Sequence, residues 1–319
     1  MKVVIQIPCR DEEESLPVTL AHLPRSIPGV DVVEWILIDD GSTDRSIEVA
    51  RSHGVDEVVA LPGQRGLASA FLAGLEAALR RGADVIVNTD ADNQYRGSDV
   101  EKLVRPIVEN RADMVVGERP AEAMAHSPLK LLLQRLGSAV VRRVSGTTVP
   151  DATSGFRACT RDAALQLNVF SSFSYTLETI IQLGLRRARI VSVPIGVNPV
   201  TRPSRLFRSI PEFVFKQALT IVWILLIYRP FETFAWPGTL FVLLGALPAV
   251  RFLVLYMAGQ GQGHVQSLIL ASILVSVGGL LLLAGTVASV IAANRVLLED
   301  VRTRLRRMEI GGPERGCPR

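Results

Sequence analysis

Short runs of apolar and β-branched residues recur through the first two hundred positions: VVIQI (3–7), VEWILI (33–38), EVVAL (57–61), ADVIVNT (83–89), DMVVG (113–117) and RIVSVP (189–194). The runs are nearly continuous rather than alternating, the pattern of strands covered on both faces. Helical signals lie between several of them. STDRSIEVARSHG offers Ser42 or Thr43 as N-cap and Gly54 as the terminating glycine. GLASAFLAGLEAALRRG is alanine-rich, carries arginines in its last turn and stops at Gly82. SDVEKLVRPIVEN opens with Ser98 and Glu101 at capping-box spacing. Alternating strands and helices predict an α/β fold with a mostly parallel, doubly wound sheet.

The pattern changes after residue 215. AWPGTLFVLLGALPAVRFLVLYM (235–257) carries one charge, Arg251, and SLILASILVSVGGLLLLAGTVASVIAA (267–293) carries none. Each is long enough for a bilayer core of about 30 Å, and neither shows the polar face of a soluble helix. The apolar stretch before them, with Trp223 and Tyr228, reads as a helix lying in the membrane interface, with a third span as the alternative. Arginines flank both spans: Arg229 before the first, and Arg302, Arg304, Arg306 and Arg307 after the second. By the positive-inside rule both ends are expected in the cytosol, at the cell membrane. The expected organisation is a catalytic domain over 1–205, an interfacial segment over 206–232, two spans within 233–295, and a basic cytosolic tail over 296–319.

Composition adds limits. The 319 residues carry a net charge of +4, with the basic residues in local clusters. That favours a membrane surface over nucleic acid. Three cysteines, Cys9, Cys159 and Cys317, have no metal-like spacing and imply no disulfide framework. The N-terminus turns acidic too soon for a signal peptide.

The candidate chemistry sits where the predicted strands end. In a strand, residues two apart point the same way. Asp90, Asp92 and Gln94 of NTDADNQY are therefore expected to project together from a central strand's carboxyl end, where open α/β sheets bind ligands. Carboxylates so close repel unless a cation joins them, and Mg²⁺ commonly takes one or two carboxylates plus phosphates and water. A solvated turn whose side chains cap backbone groups is the other reading. PCRDEE (8–13) and DDGSTD (39–44) are acidic loops that suit ribose hydroxyls and base nitrogens, and GQRGLA (63–68) adds Arg65. PDATSGFRA (150–158) combines Asp151, Ser154, Gly155 and Arg157. NPVTRPSRLFRS (198–209) sets Arg202, Ser204, Arg205 and Arg208 before the interfacial stretch, a cluster that suits a lipid-borne phosphate or anionic headgroups.

The ordered set IPCRDEE, ILIDDGSTD, GQRGLASAFLAG, NTDADNQY, SGFR and TRPSR resembles a family 2 glycosyltransferase of GT-A fold. Within that family it is similar to the dolichyl-phosphate mannose synthase group of polyprenyl-phosphate glycosyltransferases. The likeness covers about residues 1–210. It implies a Rossmann-like GT-A catalytic domain followed by two membrane helices. It implies Mg²⁺ or Mn²⁺ held by Asp90, Asp92 and Gln94. Pro8, Arg10, Glu12, Asp39 and Asp40 match donor positions, with Arg65 and Asp90 beside them, for a UDP- or GDP-sugar. Arg202, Ser204 and Arg205 match the acceptor-phosphate motif, for dolichyl or undecaprenyl phosphate. The chain departs from many relatives at Cys9 and at Arg10-Asp11, and it lacks the QxxRW motif of processive synthases.

The expected reaction is inverting transfer to the lipid phosphate, giving a β-linked product, with Asp92, Arg157 and Arg202 carrying the chemistry. Two alternatives stand beside it. One is transfer to a lipid hydroxyl, with Asp151 as base. The other is a membrane-anchored nucleotide-sugar-binding scaffold without turnover.

Overall fold

The computed structural model describes residues 1–120, 128–169, 175–199, 210–259 and 265–310. The chain divides into two compact units: Met1–Ala218 with the stretch that begins at Val301, and Leu219–Asp300.

The first unit is built on a seven-stranded sheet in the order β3-β2-β1-β4-β6-β5-β7. Its strands are β1 (Lys2–Cys9), β2 (Val32–Asp39), β3 (Glu57–Ala60), β4 (Val85–Asn88), β5 (Met114–Glu118), β6 (Arg157–Thr160) and β7 (Ile190–Pro194). All six expected strands form. The sequence reading missed β6, which runs antiparallel to both β4 and β5 in the middle of an otherwise parallel sheet. Its four residues, RACT, give too short a run to register as a strand.

Two faces of the sheet are covered. Ile5, Val87 and Val115 pack on one side with Leu103 and Val104 of α4 (Val100–Val108) and Leu16 and Leu20 of α1 (Leu16–His22). The other side receives α3 (Leu67–Arg80), whose Gly74 meets Gln6 and Ile38, and α7 (Tyr175–Leu185). Removing this many aliphatic side chains from water, at about 25 cal/mol per Å², is what holds the layers together. The remaining helices of the unit are α2 (Ser46–Ser52), α5 (Pro128–Ser145), α6 (Arg161–Gln166) and the first turns of α8 (Ile210–Tyr228).

Two expected caps are not used. α2 starts after Arg45, and Asp44 Oδ1 takes the Ser46 amide at 3.0 Å. Ser42 and Thr43 instead bond to neighbouring loops. Ser98 and Glu101 make no capping box: a turn of 3-10 helix (Gly97–Asp99) leads into α4, and Asp99 accepts the Gly196 amide.

In the second unit, α9 (Pro230–Met257) and α10 (Val265–Ile310) are long and apolar enough to cross a membrane. Their most apolar windows have mean hydropathy 2.1 and 2.5 and are only 6% and 17% buried. α10 does not end where its apolar run ends. The stretch read as a basic tail from 296 stays helical to Ile310, and its last turns fold with the first unit. Arg306 donates to the Leu167 carbonyl at 2.9 Å and lies 3.6 Å from Glu76. Arg307 approaches Asp162 at 3.4 Å, and Arg161 donates to the Ile310 carbonyl. Guanidinium groups facing helix-end carbonyls and carboxylates explain why this stretch is held.

Candidate active site

The carboxyl ends of β1, β2 and β4 lie side by side, because these strands are parallel and adjacent. Pro8 is the last buried residue but one of β1, opposite Ile38. Beyond it the two acidic loops are stitched together. The Asp11 amide donates to Ser42 Oγ, and Asp11 Oδ1 accepts the Thr43 amide at 2.7 Å. The Glu12 amide donates to Ser46 Oγ, and the Glu12 side chain accepts from Ser15 Oγ at 2.6 Å. Asp11 sits at φ 52, the left-handed region, so this turn is strained toward one shape. Arg10 is exposed at its tip.

Asp39 and Asp40 are both buried. Asp39 accepts the Ser42 amide. Asp40 accepts the backbone amides of Arg65 at 2.6 Å and of Gly66 at 2.9 Å. It therefore closes the turn that opens α3, and it leaves the Arg65 side chain exposed. Gly41 packs on that same turn: a Cβ there would meet the Gly63 backbone at 2.9 Å.

Strand β4 ends at Asn88, so strand periodicity does not carry Asp90, Asp92 and Gln94 as expected. The chain turns instead. Asn93 has φ 56, and Asp92 Oδ1 accepts the Gln94 amide at 3.2 Å. Asp90 is half-buried against Gly155 and takes no hydrogen bond from a described residue. Burial, then the nearby Asp92 charge, pushes the Asp90 carboxyl up to about 7, against the pull of Arg119 and Arg157. Among the described residues no group of three or more His, Cys, Asp or Glu forms a metal cage. Asp90 and Asp92 are thus a mutually repelling carboxylate pair.

The other predicted residues divide. Asp151 is gripped by Arg119 through two bonds, at 2.7 and 2.9 Å. Burial would raise its carboxyl, but the Arg119 bonds outweigh that and hold it below the usual range. Arg157 does not face the open edge. It is 2% exposed and donates to the carbonyls of Ser154 and Thr176 and to Thr179 Oγ1. The side chain is thus buried in contact with the backbone. Arg202, Ser204, Arg205 and Arg208 lie outside the described residues. Asn198, four positions before Arg202, is bonded to the loop after β4: its amide donates to the Gln94 carbonyl at 2.8 Å, and its Nδ2 donates to the Asn93 carbonyl at 2.9 Å.

Residues 4–167 match the family model described as Glycosyl transferase family 2. The chain belongs to glycosyl transferase family 2. Undecaprenyl-phosphate mannosyltransferase of Micrococcus luteus is 32% identical over 206 residues, 61% of this chain and 83% of that one. Polyprenol monophosphomannose synthase of Mycolicibacterium smegmatis is 28% identical over 208 residues, 61% and 76% of the two chains. Glucosyl-3-phosphoglycerate synthase of Mycobacterium tuberculosis, solved with Mn²⁺, uridine-diphosphate and glucosyl-3-phosphoglycerate, aligns with TM-score 0.52 at 22% identity. It covers 69% of this chain and 79% of its own, a likeness that shows the fold.

This family 2 glycosyltransferase has site neighbours that sequence reading missed. Arg119 follows β5, and its signal was there: DMVVGERP is a buried strand ending in polar residues at the same edge. Asn88, Tyr95 and Tyr175 gave no such signal, because their role depends on which strands and helices become neighbours.

Proposed function

We propose that this glycosyltransferase moves a sugar from a nucleoside diphosphate sugar to a polyprenyl monophosphate at a membrane surface, inverting the anomeric carbon to give a β-linked product. The observation that carries the reading is the Asp90–Asp92 pair at the sheet edge, with Asp90 lacking a hydrogen-bond partner among the described residues. One relative is named undecaprenyl-phosphate mannosyltransferase and another polyprenol monophosphomannose synthase, and the fold neighbour was solved with Mn²⁺ and uridine-diphosphate.

Hard oxygen donors on Asp90, Asp92 and Gln94 fit Mg²⁺ or Mn²⁺, which when bound offsets the charge of a leaving diphosphate. The loops after β1 and β2, with Pro8, Arg10, Glu12, Asp39, Asp40 and the exposed Arg65, form the wall that receives the nucleotide. A phosphomonoester has a second pKa of about 6, so the acceptor is already largely an anionic nucleophile at neutral pH and needs no base. One acceptor oxygen forms the new bond to the anomeric carbon as the bond to the diphosphate breaks, and the diphosphate leaves with the electron pair. Arg202, Ser204 and Arg205, which follow Asn198 in the sequence, would hold the acceptor phosphate together with Arg119.

Transfer to a lipid hydroxyl fits less well. Its base would be Asp151, and Arg119 holds that carboxyl ionised and doubly bonded. The apolar helices α9 and α10 would anchor the enzyme, with both chain ends on the cytosolic side. The packing of residues 301–310 within the catalytic unit supports that orientation.

The test is a membrane preparation given labelled donor with either a polyprenyl phosphate or the matching alcohol. Asp92→Ala should lower transfer to the phosphate by about a hundred-fold. Undiminished transfer by Asp92→Ala in EDTA, or a preference for the alcohol, overturns the reading.

A further inference from the structure

Three polar side chains sit in the middle of the sheet, where aliphatic residues would be expected. Gln6, Asn88 and Arg157 are register partners on β1, β4 and β6. None is more than 2% exposed. In-register neighbours share a face, so the three form one row across the sheet. Burying such groups is unfavourable unless they are bonded.

Their bonds lead to one place. Gln6 Nε2 donates to Asn88 Oδ1 at 2.8 Å. Asn88 Nδ2 donates to the Gly155 carbonyl at 2.9 Å and to Tyr175 Oη at 3.1 Å. Arg157 donates to the Ser154 carbonyl from one nitrogen, and from another to the first turn of α7, at the Thr176 carbonyl and Thr179 Oγ1. The Gly155 amide donates to Tyr95 Oη at 3.0 Å. Two ring stacks brace the phenols, Tyr175 on Phe71 and Tyr95 on Phe156. The 154–155 backbone is thus held at both carbonyls and at one amide.

That backbone touches the site. A Cβ on Gly155 would lie 3.1 Å from Asp90 Oδ2 and 3.1 Å from Tyr175 Oη. The Asp90 carboxylate rests on Gly155, so the height of this loop sets where the carboxylate sits.

We propose that Gln6, Asn88, Arg157 and Tyr175 form a positioning floor that fixes Gly155, and through it Asp90, for cation binding. Arg157 is a positioning residue and not a phosphate ligand. The proposal rests on the reading that Asp90 and Asp92 hold a divalent cation. Partners that orient a metal ligand matter nearly as much as the ligand itself. A row that only stabilised the core would, when disturbed, change melting and leave the affinity of the folded protein for metal unchanged.

The full chain in detergent is titrated with Mn²⁺ alone, and free Mn²⁺ is followed by electron paramagnetic resonance. Tyr175→Phe keeps the ring stack and removes one hydroxyl. Arg157→Lys keeps the charge and cannot reach both carbonyl groups. Each should weaken Mn²⁺ binding by about ten-fold. Leu37→Ala, buried on β2 on the other face of the sheet from the row, should lower the melting temperature and leave Mn²⁺ affinity as in the wild type. Wild-type affinity in Tyr175→Phe overturns the proposal, and that variant decides alone if Arg157→Lys does not fold. Asp92→Ala separates the two claims: wild-type Mn²⁺ affinity there removes the cation site itself, whereas lost affinity there with an unaltered Tyr175→Phe removes only the floor.

Discussion

The Arg119 guanidinium holds the Asp151 carboxylate with two nitrogens, Nε 2.7 Å from Oδ2 and Nη2 2.9 Å from Oδ1. A carboxylate held this way is a poor proton acceptor. Asp151→Asn keeps an oxygen for Arg119, so turnover on a phosphate acceptor should fall by less than about ten-fold, where loss of a general base costs about 10²–10⁴. Arg119→Ala should be worse, because it strands a buried charge at a cost of about 3–5 kcal/mol. Steady-state rates and urea melts of the two variants check the pair.

Gly155 is required by close approach and not by backbone angle. Gly155→Ala places a methyl 3.1 Å from both Asp90 Oδ2 and Tyr175 Oη. The carboxylate must shift, so transfer should fall by about ten-fold or more while the protein remains folded. Activity assays beside circular dichroism decide it, and wild-type activity would show that the Asp90 position is not critical.

The last turns of α10 hold to the catalytic unit through Arg306. Its bond to the Leu167 carbonyl is charge-assisted, worth about 1.5–3 kcal/mol. Arg306→Ala should release residues 301–310 to protease and lower the unfolding midpoint of the catalytic unit. Limited proteolysis in detergent, read by mass spectrometry, gives the answer. An unchanged cleavage pattern would mean that the other contacts suffice.

Acid should weaken the pairing of β5 with β7 at one identifiable point. Asp113 is held below the usual carboxylate range, first by hydrogen bonds from Arg189, which begins the turn into β7. A depressed carboxyl contributes stability above its unfolded value of about 3.9, and the contribution disappears as pH falls through the folded value. The pair is partly exposed, so the effect is about 1 kcal/mol or less. Asp113→Asn should lower the melting temperature at pH 7 and leave it close to wild type near pH 2.

Much of the catalytic fold was legible in the chain. The runs that form β1, β2 and β4 are apolar on both faces, and burial on both faces leaves a signature that needs no partner to be read. The acidic and basic motifs were legible for the same reason: each is a local string. β6 was not, since four residues containing an arginine become a strand only when β4 and β5 flank them. The strand-period reading of Asp90, Asp92 and Gln94 failed because β4 stops at Asn88, and a left-handed Asn93 redirects the loop.

The sequence by itself determined the family, the alternating β and α elements, the two long apolar stretches and the positions of the acidic motifs. These are properties of residue type and spacing within short windows. Tertiary structure decided what each polar group faces: that Asp40 closes a turn, that Arg119 occupies Asp151, that Arg157 points into the core beneath Gly155, and that a basic helix end is docked. Hydrogen bonds and burial join residues tens of positions apart, and local spacing carries no record of those pairings.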